Sequence, residues 1–343
     1  MKKGTFLVIV FVCFFVVTFV SQTGAADEPI ALKLAHFWPT THYVHTEQAA
    51  GWKADIEAAT KGRVKITVYP AESLLKTKNM YDGVIDGIAD ISMGIYAFVA
   101  PNHPILEIFE MPGIPYADAR TTNMIVWENY QKYDALKFKD TRIQYFFCTG
   151  PGAIWGPIPF RNLNDLKGQP VMATGSTAVI MKKLGAVPVN LPRPDVYLAM
   201  ERGTVKGSMA PPEAIKGFKE AEISKYVTLL NGIYNKLLFC TMSLKTWNSL
   251  PKDIQQAFDQ VNNQWVEKAG KIWDKESAEG LRYGIEDYKM QLVQPSKEEY
   301  ARWLELLKPV TDEFIAGMEA KGYPAKEIFA NVLKSAEKYS TKK

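Results

Sequence analysis

Apolar and polar residues follow one another along the chain in a pattern that predicts alternating strands and helices. The segment ALKLAHFW predicts a buried strand, and the next segment, HTEQAAGWKADIEAATKG, has helical spacing and stops at Gly62. VKITVYP predicts a second strand, KTKNMYDGVID a second helix and ADISMGI a third strand. A helix over about 117–136 then leads into the strand RIQYFFCT. The β-α-β-α-β order predicts a mostly parallel sheet covered by helices.

The same order begins again after Gly152. Strands are predicted at QPVMAT, VPVNL and VKGSMA, with helices at TGSTAVIMKKLG and PDVYLAMERG between them. Two apolar strands follow, ISKYVTLL and KLLFCTMSL, and the patterns from Thr246 to Tyr339 are mainly helical. The segments GIADISMG and GTVKGSMA, each of which follows a predicted helix, also indicate two similar halves.

These elements predict an α/β protein with two lobes, hinge strands between them and long C-terminal helices. Lobe I is expected over residues 27–149, with about 239–285 returning to it. Lobe II is expected over 150–238, with the helices of about 286–343 packing on it. Open α/β sheets bind ligands at the carboxyl ends of their strands, so we expect a binding cleft between the lobes.

Residues 1–26 have the three parts of a secretory signal peptide. Lys2 and Lys3 precede an apolar run over 6–20, and small residues end at Ala26. The run is shorter than the roughly 20 residues of a spanning helix, so we expect cleavage and a periplasmic protein rather than an uncleaved membrane anchor. Loss of both lysines lowers the net charge from +4 to +2, too balanced to indicate nucleic-acid binding. Cys148 and Cys240 lie in apolar runs, where a disulfide and buried free thiols both fit.

Catalytic sequence motifs are absent. The chain has no GxSxG, P-loop, HExxH or CxxC, so nothing indicates a cofactor. His36, His42 and His45 lie close together and, with Glu47, are candidate metal ligands of an exported metal-dependent enzyme. Hydrogen-bonded histidines in a cleft are the alternative.

Aromatic residues lie where a cleft would open. His36, Phe37 and Trp38 end the first strand, Tyr96 follows the third, and Trp155 opens the second half. Aromatic side chains with a polar handle suit an organic ligand, although core packing explains such residues equally well. The run ATGST also places Ser176 at a helix start, where free backbone N–H groups favour a carboxylate.

Six segments together resemble one family over nearly the whole mature chain: TKGRVKITVYPAESL, VIDGIADISMG, NLNDLKGQPVMATGS, LGAVPVNLPRPDVYLAMERGTVKG, KYVTLL and TWNSLP. The chain resembles the solute-binding subunits of TRAP (tripartite ATP-independent periplasmic) transporters of the DctP type. This resemblance implies two α/β lobes that close on a small organic acid. It also implies delivery of that acid to a membrane permease without any reaction. A sensory receptor for the same kind of ligand is a further interpretation.

The chain departs from the family where the ligand carboxylate is normally bound. The arginine that the family carries after DLKG is Met172 here, and the usual Val-Asp-Gly contains Lys206. A buried carboxylate needs a cation or several donors. Arg193, which lies between two prolines, is therefore the candidate replacement, with a solvent-exposed arginine as the alternative. The expected ligand is a carboxylate with an aromatic or apolar body. The predicted site consists of His36, Phe37, Trp38, Tyr96, Trp155, Met172, Ser176, Arg193, Met209, Glu213 and Tyr234.

Overall fold

A computed structural model describes residues 28–340. The predicted signal peptide lies outside the described residues. Within the described part of the chain, no helix combines the length and the apolar character that crossing a bilayer requires.

The described residues form two sheets and a set of covering helices. The strands are β1 (Ile30–Ala35), β2 (Val64–Tyr69), β3 (Ile91–Ile95), β4 (Thr141–Cys148), β5 (Gly152–Gly156), β6 (Pro170–Met172), β7 (Val187–Val189), β8 (Gly207–Ala210), β9 (Tyr226–Leu230), β10 (Leu237–Ser243) and β11 (Gln291–Leu292). The helices are α1 (Ala50–Ala59), α2 (Asp82–Ile85), α3 (Ala119–Lys132), α4 (Leu163–Leu166), α5 (Ser176–Lys183), α6 (Val196–Glu201), α7 (Glu213–Gly217), α8 (Leu244–Ser249), α9 (Lys252–Arg282), α10 (Lys297–Ala320) and α11 (Ala325–Ser340).

The first sheet has the order β2-β1-β3-β10-β4. β1 is parallel to β2 and to β3, whereas β10 lies between β3 and β4 and is antiparallel to both. The chain therefore returns from the second sheet to complete the centre of the first. β4 sends Tyr145 and Phe147 to one core cluster and Phe146 and Cys148 to another. Burial on both faces explains why this strand has no polar alternation.

The second sheet has the order β11-β9-β5-β8-β6-β7. β6 is parallel to β7 and β8, and β5 pairs antiparallel with β8 and β9. Two short connections join the sheets, one from β4 to β5 and the other from β9 to β10. The predicted α/β fold with two lobes, hinge strands and long C-terminal helices is confirmed.

The C-terminal helices divide between the lobes. α10 buries Trp303 and Leu307 against the second lobe. α11 buries Ile328 and Val332 in a cluster with α3 and β4 of the first lobe. The sequence prediction placed all residues of about 286–343 on the second lobe, and the last helix departs from it. Its apolar stripe shows that it packs, but not which lobe receives it.

Two elements differ locally from their predicted form. The segment predicted as a helix over 76–86 contains only a short 3₁₀ turn at Thr77–Asn79 and the single turn of α2. Gly83, inside α2, packs directly against the side chain of Leu75. β11, which pairs with β9, lies inside the region predicted as helical.

Candidate ligand-binding site

A cavity lies between the two lobes and next to both connections. Water-sized molecules can occupy about 70 Å³ of it, less than the roughly 300–1,000 Å³ typical of small-molecule sites. Its lining comes from both lobes and from α9: Phe37, Trp38, Ile95, Phe98, Thr149, Met172, Thr174, Leu191, Arg193, Met209, Ala210, Pro211, Glu213, Phe218, Tyr234, Lys236, Leu238 and Trp273. Apolar walls with three charged side chains suit an organic ligand whose polar groups are held at defined points.

Aromatic rings form the wall on the first lobe. Phe37 and Trp38 follow the carboxyl end of β1, and their rings stack with centroids 3.9 Å apart. Trp273 reaches the cavity from the buried face of α9. Both tryptophans are almost fully buried, so their positions are fixed by packing.

Arg193 is the cation on the second lobe. It lies in a short 3₁₀ turn, Arg193–Asp195, and only 8% of its surface is exposed. Its guanidinium pairs with Glu220 and donates to Ser208 Oγ at 2.9 Å. Burial raises the pKa of Glu220, and the charge of Arg193 opposes this shift. Trp155 Nε1 donates to the other carboxylate oxygen of Glu220 at 2.9 Å, so both oxygens accept hydrogen bonds.

Lys236 is a second cation, at the hinge end of the cavity. Its Nζ donates to Glu110 Oε2 at 2.8 Å, to the carbonyl oxygen of Thr174 at 2.8 Å and to Ser176 Oγ at 3.1 Å. Ser176 Oγ also donates to Glu110. Glu110, a carboxylate of the first lobe, thus contacts the Ser176 side chain at the start of α5.

Glu213 is the only carboxylate among the described residues that line the cavity. It begins α7 and accepts from His42 Nε2 of the first lobe at 3.1 Å. Burial and the nearby Glu213 carboxylate raise the pKa of Tyr43 well above its ordinary value. Glu213 and His42 therefore form a buried polar contact between the lobes.

The three neighbouring histidines do not converge on one point. His36 Nε2 lies 3.1 Å from His45 Nδ1, whereas His42 contacts Glu213. Burial, with repulsion from the other two rings, lowers the pKa of His36 to about 3. Within residues 28–340, no group of three or more His, Cys, Asp or Glu side chains is arranged to hold a metal ion.

The structure brings most of the predicted site residues together. Those that line the cavity are Phe37, Trp38, Met172, Arg193, Met209, Glu213 and Tyr234. Those that do not line it are His36, Tyr96, Trp155 and Ser176. Each of these four is buried behind the wall. Tyr96 donates to the carbonyl oxygen of His103 at 2.7 Å, and Trp155 positions Glu220.

Sequence reasoning missed Lys236, Phe218 and Trp273. A lysine directly before the seven-residue apolar strand β10 was the available signal for Lys236, because an isolated charge at such a place needs a buried partner. Phe218 and Trp273 lie in helical regions whose apolar residues give no indication of which ones face a cavity.

Comparison with known proteins agrees with this architecture. Residues 34–317 match the DctP family model, bacterial extracellular solute-binding protein, family 7. The C4-dicarboxylate-binding periplasmic protein DctP of Rhodobacter capsulatus is 25% identical over 296 residues, 84% of this chain and 87% of that protein.

Solved structures of TRAP solute-binding proteins have the same fold. One from Desulfovibrio salexigens is 29% identical, with a TM-score of 0.79 and coverage of 90% of this chain and 96% of that one. One from Rhodoferax ferrireducens in complex with copurified benzoate is 22% identical, with a TM-score of 0.84 and coverage of 91% and 99%. These are binding proteins rather than enzymes. The chain therefore belongs to the DctP family of TRAP transporter solute-binding proteins.

Proposed function

We propose that this chain is a periplasmic receptor that binds a small organic acid with an aromatic or apolar body between its lobes and delivers it to a TRAP permease. The exported form would lack residues 1–26. Family membership supports the binding of a small organic acid, and the cavity supports the narrower ligand class.

The proposal depends mainly on Arg193, the cation that would bind the ligand carboxylate. Its Nε is buried and has no hydrogen-bond partner among the described residues, although the rest of the guanidinium is held by Glu220 and Ser208. An unpaired buried N–H of a cation costs free energy, and a ligand carboxylate at the cavity wall would recover it. Leucine, methionine and aromatic side chains supply most of the remaining wall, which favours an apolar ligand body.

The Rhodoferax ferrireducens relative copurified with benzoate, an aromatic acid. Benzoate is therefore the first probe to test on this chain. The test is isothermal titration with benzoate and mandelate against malonate and galactonate. We expect the two aromatic acids to bind. Binding of only the dicarboxylate or the sugar acid would contradict the proposed ligand class.

Truncating Arg193 alone would leave Glu220 buried without its cation, so the test of Arg193 uses a paired variant. Arg193→Met with Glu220→Gln removes both charges, and we expect affinity for the bound aromatic acid to fall at least tenfold. Arg142→Met with Asp259→Asn is the matched control, because that ion pair lies outside the cavity. Equal affinities of the two paired variants would remove Arg193 from the site.

Delivery has its own test. Uptake of the bound acid by cells that express the permease should require the receptor, and the paired Arg193 variant should reduce it. Uptake that does not depend on the receptor would favour a sensory role instead.

A further inference from the structure

The protonation of His42 follows from its two hydrogen bonds. The backbone N–H of Val44 donates to Nδ1 at 3.2 Å, so this nitrogen accepts and carries no proton. The proton of the ring is then on Nε2, which donates to Glu213 at 3.1 Å. The ring is the neutral tautomer, and it satisfies one oxygen of Glu213 without neutralising the carboxylate.

The charges of the cavity are therefore unequal. Two cations line it, Arg193 and Lys236, and each is already paired with a buried carboxylate, Glu220 and Glu110. Glu213 has no cationic partner; it accepts a hydrogen bond from the neutral imidazole of His42. A simple carboxylate ligand would bring a further negative charge into a cavity that already has one too many, and buried charges without a partner are costly.

Aromatic side chains pack around His42, the partner of Glu213, and around the neighbouring Tyr43. The ring of Trp38 lies 6.2 Å from the His42 ring, and the ring of Phe218 lies 5.1 Å from it. Trp273 lies 5.4 Å from the Tyr43 ring. Trp38, Phe218 and Trp273 all line the cavity. Aromatic faces next to a carboxylate attract an ammonium group, which the faces bind through cation–π interaction and the carboxylate through a charge-assisted hydrogen bond.

We propose that Glu213 and the aromatic faces beside it form an ammonium subsite, so that the ligand is an amino acid whose carboxylate is bound at Arg193. A zwitterion brings equal charges of both signs, and its ammonium compensates Glu213. This inference rests on the proposed function and narrows its ligand class.

The test uses three probes that differ only in the substituent on carbon 2: 2-phenylglycine with an ammonium, mandelate with a hydroxyl and phenylacetate with neither. Affinities are measured by isothermal titration on the wild type, on Glu213→Gln and on Glu201→Gln. Gln keeps the size of Glu213 and an acceptor for His42, and Glu201 is an exposed glutamate on the same lobe. The readout is the ratio of two affinities on one protein, which a partial loss of folded protein does not change.

We expect the wild type to bind phenylglycine at least tenfold more tightly than phenylacetate. We expect Glu213→Gln to bring this ratio close to one and Glu201→Gln to leave it unchanged. Mandelate bound as tightly as phenylglycine would show a hydroxyl subsite and overturn the ammonium assignment. Binding of phenylacetate or mandelate without phenylglycine would also overturn it and leave the proposed function standing. An unchanged ratio in Glu213→Gln would overturn the role of Glu213. Failure of all three probes would overturn both proposals.

Discussion

Removing Lys236 alone from its buried ion pair with Glu110 should destabilise the protein strongly. Lys236→Met removes the ammonium and keeps an apolar side chain of similar length. Three acceptors lose their donor: Glu110 Oε2, the Thr174 carbonyl oxygen and Ser176 Oγ. Glu110 stays buried with two donors, the backbone N–H of Leu237 at 2.8 Å and the hydroxyl of Ser176. Removing one partner of a buried ion pair costs about 3–5 kcal/mol, a large share of the roughly 5–15 kcal/mol that stabilises a typical protein.

A double variant tests whether the loss in Lys236→Met comes from the unpaired Glu110 carboxylate. Lys236→Met with Glu110→Gln removes both charges; the glutamine oxygen can still accept from the Leu237 N–H, and its amide NH₂ can donate to Ser176 Oγ. Because neutral replacement of a buried pair is often without cost, we expect the double variant to return to within about 1 kcal/mol of the wild type. Lys268→Met is the matched control, since its ion pair with Asp55 is about half exposed and should contribute less than about 1 kcal/mol.

Urea unfolding followed by tryptophan fluorescence gives the four free energies of unfolding. The reasoning is refuted if Lys236→Met costs no more than Lys268→Met. It is equally refuted if the double variant is as unstable as Lys236→Met alone, because the loss would then come from packing rather than from the unpaired carboxylate.

Three further predictions concern Glu107, the two cysteines and two helical glycines. Burial and repulsion from a neighbouring carboxylate raise the pKa of Glu107 from 4.5 to about 7, so the wild type loses stability as pH rises through this window. Glu107→Gln should therefore raise the free energy of unfolding by about 3 kcal/mol at pH 8 and hardly at all at pH 4; equal effects at both pH values would contradict the assignment. Cys148 and Cys240 are free, and burial raises the pKa of both thiols. A thiol reagent should therefore label them only after unfolding. Labelling of the native protein would show that the core around the thiols is accessible to solvent. A Cβ at Gly270 would lie 2.4 Å from the backbone at the start of α3, whereas a Cβ at Gly317 would have nothing within 4 Å. In chemical denaturation we expect Gly270→Ala to lower the free energy of unfolding by about 1–3 kcal/mol and Gly317→Ala to raise it by up to about 1 kcal/mol. The reverse order would contradict the close packing of α9 on α3.

Local patterns in the sequence predicted most of the fold. The β-α-β order of each half depends on periodicity and on turn residues, which neighbours along the chain determine. The insertion of β10 between β3 and β4 depends on pairing between distant segments, and no local pattern shows it. The cysteines illustrate the same limit. Cys148 pairs with Leu237 and Cys240 with Tyr145 on adjacent strands, so the two thiols are out of register and remain unbonded.

The site was predictable where it depends on strand ends. Phe37 and Trp38 follow β1 directly, and the carboxyl end of a strand in an open sheet is where ligands bind. The charge balance of the cavity was not predictable from the sequence. Glu220 lies 27 positions after Arg193, and Glu110 lies 126 positions before Lys236. The sequence shows that these residues are charged, but only the fold shows which of them cancel.

The proposed role of Arg193 depends on its position next to Met172, where the family resemblance implies an arginine. Arg193 Nη1 lies 4.0 Å from Met172 Sδ. The positive charge is therefore beside the expected place, although it comes from a loop 21 positions further along the chain. A carboxylate responds to the field and the donors around it and not to the strand that supplies them. Because the relocated guanidinium comes with its own carboxylate, Glu220, the cavity has less positive charge than a bare arginine would give it. Under the proposed ammonium subsite, the remaining negative charge of Glu213 is the feature that would separate this receptor from one built for a simple acid.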